Sequence, residues 1–107
     1  MSDAGVLQCY ERALEVTRAM LEAARASDWD RLVQLEQERA RLVERLRLED
    51  PDPGNDLASR DRKRELIVEM LRLDEQIQML TQDWMHELRD VLGSIGDEQR
   101  LNRTYGA

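Results

Sequence analysis

From Leu66 to Val91 an apolar residue returns at every third or fourth position: Leu66, Met70, Leu73, Ile77, Leu80, Trp84, Leu88 and Val91. A stripe of this period predicts one amphipathic helix over 59–92, roughly 30 residues and about 45 Å long. Gly93-Ser94-Ile95-Gly96 follows, and Gly93 is placed to end the helix in a left-handed turn. Beyond it, 97–105 predicts a short helix capped by Asp97, with Leu101 and Tyr105 one turn apart on one face.

Two earlier segments carry the same period. Over 3–26 two adjacent rows run side by side: Leu7, Tyr10, Leu14, Thr17, Leu21, Ala24 and Val6, Cys9, Ala13, Val16, Met20, Ala23. Together they predict a helix with a wide buried face, opposite a charged side of Glu11, Glu15, Arg18, Glu22 and Arg25. Over 28–48 the rows are Leu32, Leu35, Leu42, Leu46 and Trp29, Val33, Ala40, Val43. Ser27 is expected to cap this helix, with Asp30 answering three residues on. Arg39 interrupts the first row and Glu36 the second. They are spaced to pair with each other, either as a rim pair beside the core or as a polar anchor at the edge of a groove.

Glu49-Asp50-Pro51-Asp52-Pro53-Gly54-Asn55-Asp56 reads as a turn, because proline disfavours helix in the residue before it and glycine supplies turn geometry. Its length suits an antiparallel connection between helices. The expectation is an all-α chain, residues 1–107 forming a single domain, with three long helices in an antiparallel bundle plus a short C-terminal helix.

Composition agrees. Of 107 residues 41% are hydrophobic and 36% charged, with two prolines and no phenylalanine. The chain is long enough for one modest core. A net charge of −7 disfavours direct contact with nucleic-acid phosphates and with anionic lipid. Lys63 is the only lysine. No basic start resembling a signal peptide and no membrane-length apolar run is present, and the single Cys9 cannot form an internal disulfide. These features predict a soluble cytoplasmic protein without membrane insertion.

The inventory of reactive groups is thin. His86 is the only histidine, and Asp83 with His86 has the spacing of one bundle metal-ligand pair but lacks the second pair a di-iron site needs. Cys9 lies within the apolar face of the first helix, where a structural role is expected. The glycines are scattered, so no phosphate loop exists, and no serine–histidine–acid set can be assembled. No catalytic residue, metal or cofactor is expected, and the chain is not read as an enzyme.

Two regions carry a resemblance. Ser27-Asp28-Trp29-Asp30-x-Leu32-x-x-Leu35-Glu36, followed by Glu38-Arg39 and Leu42, resembles the start of the second helix in flagellar export chaperones of the FliT family. Met85-His86-Glu87-Leu88-Arg89-Asp90-Val91-Leu92-Gly93, leading to Leu101-Asn102-Arg103-Thr104-Tyr105-Gly106, is similar to the closing block of that family. The resemblance implies a cytoplasmic chaperone for the filament-cap protein. Such a chaperone holds the aggregation-prone C-terminal segment of its client and delivers it to the flagellar type III export gate and its ATPase complex. It also implies, for enteric members, restraint of the master flagellar transcription activator through protein contact. In the family a terminal helix folds over the client groove, and Leu101 and Tyr105 match that segment.

Stripe geometry supplies candidate site residues. The client is expected to meet Leu32, Leu35, Leu73, Ile77 and Leu80, with Leu101 and Tyr105 as a gate. Three helices with rows this long own more apolar surface than they bury among themselves, and a client helix could cover the remainder. Met70, Met79 and Met85 suit a surface that repacks. The rival reading is a structural coiled-coil protein whose stripes serve self-association, so a homodimer stays open.

Overall fold

The computed structural model describes the backbone of residues 3–105 and the side chains of residues 5–93. Three helices follow in order: α1 (Asp3–Arg25), α2 (Trp29–Glu49) and α3 (Arg60–Tyr105). The chain divides into two compact units, Met1–Ile77 and Gln78–Ala107.

In the first unit α1 supplies most of the core. Val6, Cys9, Tyr10, Ala13, Leu14, Val16, Thr17, Met20, Leu21, Ala23 and Ala24 are all buried. Both rows of the wide face are therefore used, and hiding a side chain such as Val16 contributes about 1.5–3 kcal/mol relative to leaving it in water. α2 adds Leu32 and Leu46, and α3 adds Leu66, Leu73 and Ile77. Side-chain pairs fix the directions. Cys9 reaches Leu42, Arg12 reaches Glu38 and Tyr10 reaches Asp50, so α1 and α2 are antiparallel. Asp50 pairs with Lys63 and Arg39 with Asp74, so α3 runs back along α2.

The corner between α1 and α2 differs from the sequence expectation. Asp28, not Ser27, caps α2, its Oδ1 accepting from the Arg31 amide at 3.3 Å. Ser27 is occupied by the end of α1. It adopts φ +55°, its amide donates to the Ala24 carbonyl, and the Asp28 amide donates to the Ala23 carbonyl. That pair of bonds is a Schellman close, with serine in the position that glycine usually fills. One residue, Asp28, thus finishes one helix and starts the next.

α2 stops where Pro51 follows Asp50. The Asp50 amide still donates to the Leu46 carbonyl at 2.8 Å, but its φ and ψ of −138° and 62° leave the helix. Before α3, the Asp56 carboxylate accepts from the Ala58 amide at 3.2 Å and from Ser59 Oγ at 2.7 Å. These bonds fix the turn that leads into α3, whose first amide, that of Arg60, donates to the Asp56 carbonyl at 2.9 Å.

The expected pairing of Glu36 with Arg39 does not form. Arg39 Nη1 instead donates to Asp74 Oδ1 on α3 at 2.5 Å and to Thr17 Oγ1 on α1 at 3.3 Å. Thr17 Oγ1 in turn donates to the Ala13 carbonyl at 2.8 Å. A guanidinium offers five donors in a rigid fork, and here two of them tie three helices together while Glu36 stays exposed.

In the second unit the backbone is helical to Tyr105, and the separate short helix expected over 97–105 is not seen. A stop at Gly93 requires positive φ there, and no described glycine has it. Glycine weakens a helix interior by about 1 kcal/mol relative to alanine, which is not enough to compel a break. Leu80, Trp84 and Leu88 of this unit are half-buried, whereas Met79, Val91 and Leu92 are exposed.

Candidate binding groove

The expected client residues occupy different environments. Leu32, Leu73 and Ile77 are buried in the first unit, where they hold its core. Leu35 is half-buried and lines the cleft between α1 and α2 with Val16 and Ala19. Leu80 is half-buried in the second unit. The side chains of Leu101 and Tyr105 lie outside the described residues.

The apolar opening of the first unit lies elsewhere. Between α2 and α3 a depression of about 320 Å³ is walled by Val43, Leu46, Ile67 and Met70, with Tyr10 and Ala13 of α1 in its floor. A second depression of about 200 Å³ continues towards the turn, sharing Ile67 and adding Pro53, Gly54 and Val68. Val43 is 52% exposed and Val68 57% exposed. Apolar surface this accessible on a groove wall marks a place for another apolar surface to dock.

Polar groups at the inner edge are satisfied. Asp50 Oδ2 accepts from Tyr10 Oη at 2.8 Å and pairs with Lys63 Nζ at 3.1 Å. Burial, and then the hydrogen bond and charge of Asp50, push the Tyr10 phenol well above its ordinary value. On the outer edge the Arg47 guanidinium donates two bonds to Glu44, at 3.0 and 2.7 Å, and holds that carboxyl below its usual range. Cys9 is buried and its Sγ donates to the Leu42 carbonyl at 3.7 Å. Burial raises its thiol pKa, the opposite of what a nucleophile needs. Among the described residues no group of three histidine, cysteine or acidic side chains could hold a metal ion.

Periodicity placed Val43 and Met70 in apolar rows, with Met70 among the methionines suited to a surface that repacks, and passed over Ile67. A signal was present in the run Leu66-Ile67-Val68. Three consecutive helical residues span about 200° of the helix surface and cannot all face one core. Leu66 takes the inside, Ile67 is half-buried on the groove, and Val68 is exposed. Likewise α2 carries two apolar rows but buries only Leu32 and Leu46.

This arrangement defines a helical protein with an open apolar groove and no assembled reactive site among the described residues. Comparison with known proteins then places it. A family profile described as "Flagellar protein FliT" matches residues 7–107. A Flagellar protein FliT from Citrobacter koseri is 33% identical over 94 residues, covering 88% of this chain and 76% of that protein. Another from Yersinia enterocolitica is 30% identical over 101 residues, covering 94% and 84%. A third, from Cronobacter sakazakii, is 26% identical over 100 residues, covering 94% and 82%. No solved structure is significantly similar. The chain belongs to the FliT family of flagellar proteins. Among the described residues no helix is long and apolar enough to cross a membrane.

Proposed function

We propose that this protein is a cytoplasmic export chaperone of the flagellar type III pathway that binds the C-terminal segment of the filament-cap protein. Family membership across residues 7–107 is the observation that carries the reading. The exposed walls of the α2–α3 groove support it physically, because a client helix laid there removes apolar surface from water. Leu35 and Leu80 are accessible enough to touch a client. Leu32, Leu73 and Ile77 are buried and line neither depression, so they contribute by packing the core rather than by touching the client. Leu101 and Tyr105 act as a gate over the bound segment. The loaded chaperone then meets the export gate and its ATPase complex. Contact with the master transcription activator is made through protein, since a net charge of −7 repels DNA.

Titration calorimetry with a peptide of the cap protein's C-terminal segment tests the proposal. Micromolar or tighter binding, lost on I67D and raised when residues 97–107 are removed, is the expected result. No binding to either form rejects the chaperone reading, and unchanged affinity on truncation rejects the gate. A tight dimer by light scattering that binds no peptide would favour a self-association protein instead.

A further inference from the structure

We infer that the α2–α3 groove selects amphipathic helices whose apolar stripe is bordered by aspartate or glutamate, and that Arg47, Arg60 and Arg64 read those acids. The inference rests on the reading of this groove as the client site and adds the client's chemistry.

Charged side chains line both depressions. They are Arg47 and Asp50 in one and Arg60, Lys63 and Arg64 in the other. Lys63 and Asp50 are buried against each other at 3.1 Å and cancel. The remaining charges that line the two depressions are three arginines, with Glu44 paired to Arg47 on the outer edge, in a chain whose net charge is −7. The bias is local. The cleft between α1 and α3 is lined by Glu11, Glu15, Glu65 and Glu69 against Arg18 and Arg62. The cleft between α1 and α2 balances two arginines, Arg12 and Arg31, with two acids, Glu15 and Glu38.

The three arginines are also placed on both banks. Arg47 stands on α2, while Arg60 and Arg64 stand one turn apart on α3. A helix lying between them with its apolar side down brings its flanking residues past both banks. Little holds the α3 pair elsewhere. Arg64 is exposed and enters no ion pair among the described residues, although it lines a shallow depression with Asp61, Glu65 and Glu69, and Arg60 Nε lies 3.9 Å from Asp61. Arg47 is the more committed, through Glu44, but its side chain is 68% exposed and a second carboxylate can share the fork. Apolar walls give such a site its affinity, and the charged rim gives it preference and speed of encounter.

Two synthetic helical peptides with one shared leucine stripe, flanked by glutamate in one and by lysine in the other, test this on the full chain by fluorescence anisotropy. The glutamate peptide is expected to bind about ten-fold tighter at low salt, an advantage that three exposed pairs together can supply. The preference should shrink at about 0.5 M salt, where the screening length falls to a few ångströms. The triple variant R47Q/R60Q/R64Q should bind both peptides equally, with an unchanged circular dichroism spectrum. Equal binding by the unaltered chain, or a preference for lysine, overturns the inference while leaving the groove as client site. If neither peptide binds but the cap protein's C-terminal segment does, the inference falls and the chaperone reading stands. If that segment also fails to bind, both fall.

Discussion

Lys63 Nζ lies 3.1 Å from Asp50 Oδ2, joining the first turn of α3 to the last residue of the α2 cap. The lysine side chain is 3% exposed and the aspartate 13%. The same carboxylate oxygen accepts the Tyr10 hydroxyl, so one atom ties all three helices at the turn end of the first unit. Removing one member of a buried pair leaves the other charge without compensation. D50A is therefore expected to destabilise the protein by about 3–5 kcal/mol, and D50A/K63M by clearly less than D50A alone. Urea titration followed by circular dichroism checks both. A double variant as unstable as D50A would mean that packing, not the orphaned ammonium, sets the cost.

Tyr10 makes stability depend on pH at the alkaline end. Its folded pKa is raised above the unfolded value, chiefly by burial, so the folded state favours the neutral phenol. The contribution is intact below the unfolded value of about 10 and is lost as pH rises from there towards the folded value. The urea midpoint should fall between about pH 10 and pH 12, and more steeply than in Y10F. Parallel curves for the two proteins would remove Tyr10 as the cause.

Ser27 and Gly93 stand in each other's natural places. The serine carries φ +55°, and the glycine sits inside a helix with open space where a Cβ would be. S27G relieves the left-handed strain, and after the entropy that glycine adds to the unfolded chain a gain of about 0.5–1 kcal/mol should remain. G93A adds helix propensity and should raise helical ellipticity without moving the rest of the structure. D28A, which removes the cap of α2, should cost about 1 kcal/mol. Chemical denaturation of the three variants gives all three signs.

Cys9 should behave as a protected thiol. It is 5% exposed, and burial raises its pKa, so both access and thiolate fraction are low. Alkylation by iodoacetamide at pH 8 is expected to be at least about 100-fold slower in the folded protein than in urea, reflecting the small populated fraction of open states. Comparable rates would show that α1 leaves the unit easily.

Periodicity of 3.6 found all three helices, and the proline-rich turn placed the end of α2 and the start of α3 within a residue or two. Those signals are local: a buried stripe and a residue that forbids helix act wherever they stand. The partners of polar residues were not legible, because they depend on which helix lies opposite. Arg39 was spaced to meet Glu36 on its own helix, yet Asp74 lies 35 positions away and wins through burial that an exposed neighbour cannot match. The left-handed residue at the first corner was missed for a related reason. Serine is a good cap in isolation, and only the competing demand of the preceding helix assigns it elsewhere. Of the residues that sequence offered for the client, Leu32, Leu73 and Ile77 are buried in the core, and none of the five lines the two apolar depressions. Stripe counting identifies apolar side chains without saying which of two rows is turned outward, as Val43 and Ile67 show.

The depth at which α1 is buried bears on how this family can change. A helix with nearly every apolar position enclosed, several of them as small as Ala13, Ala23 and Ala24, tolerates few replacements, since any added methyl must displace a packed neighbour. Adaptation to a new binding partner must then be written on α2 and α3, whose outward faces can vary without disturbing the central rod. Divergence among relatives should accordingly concentrate on those two helices, with the first keeping its volume even where its letters differ.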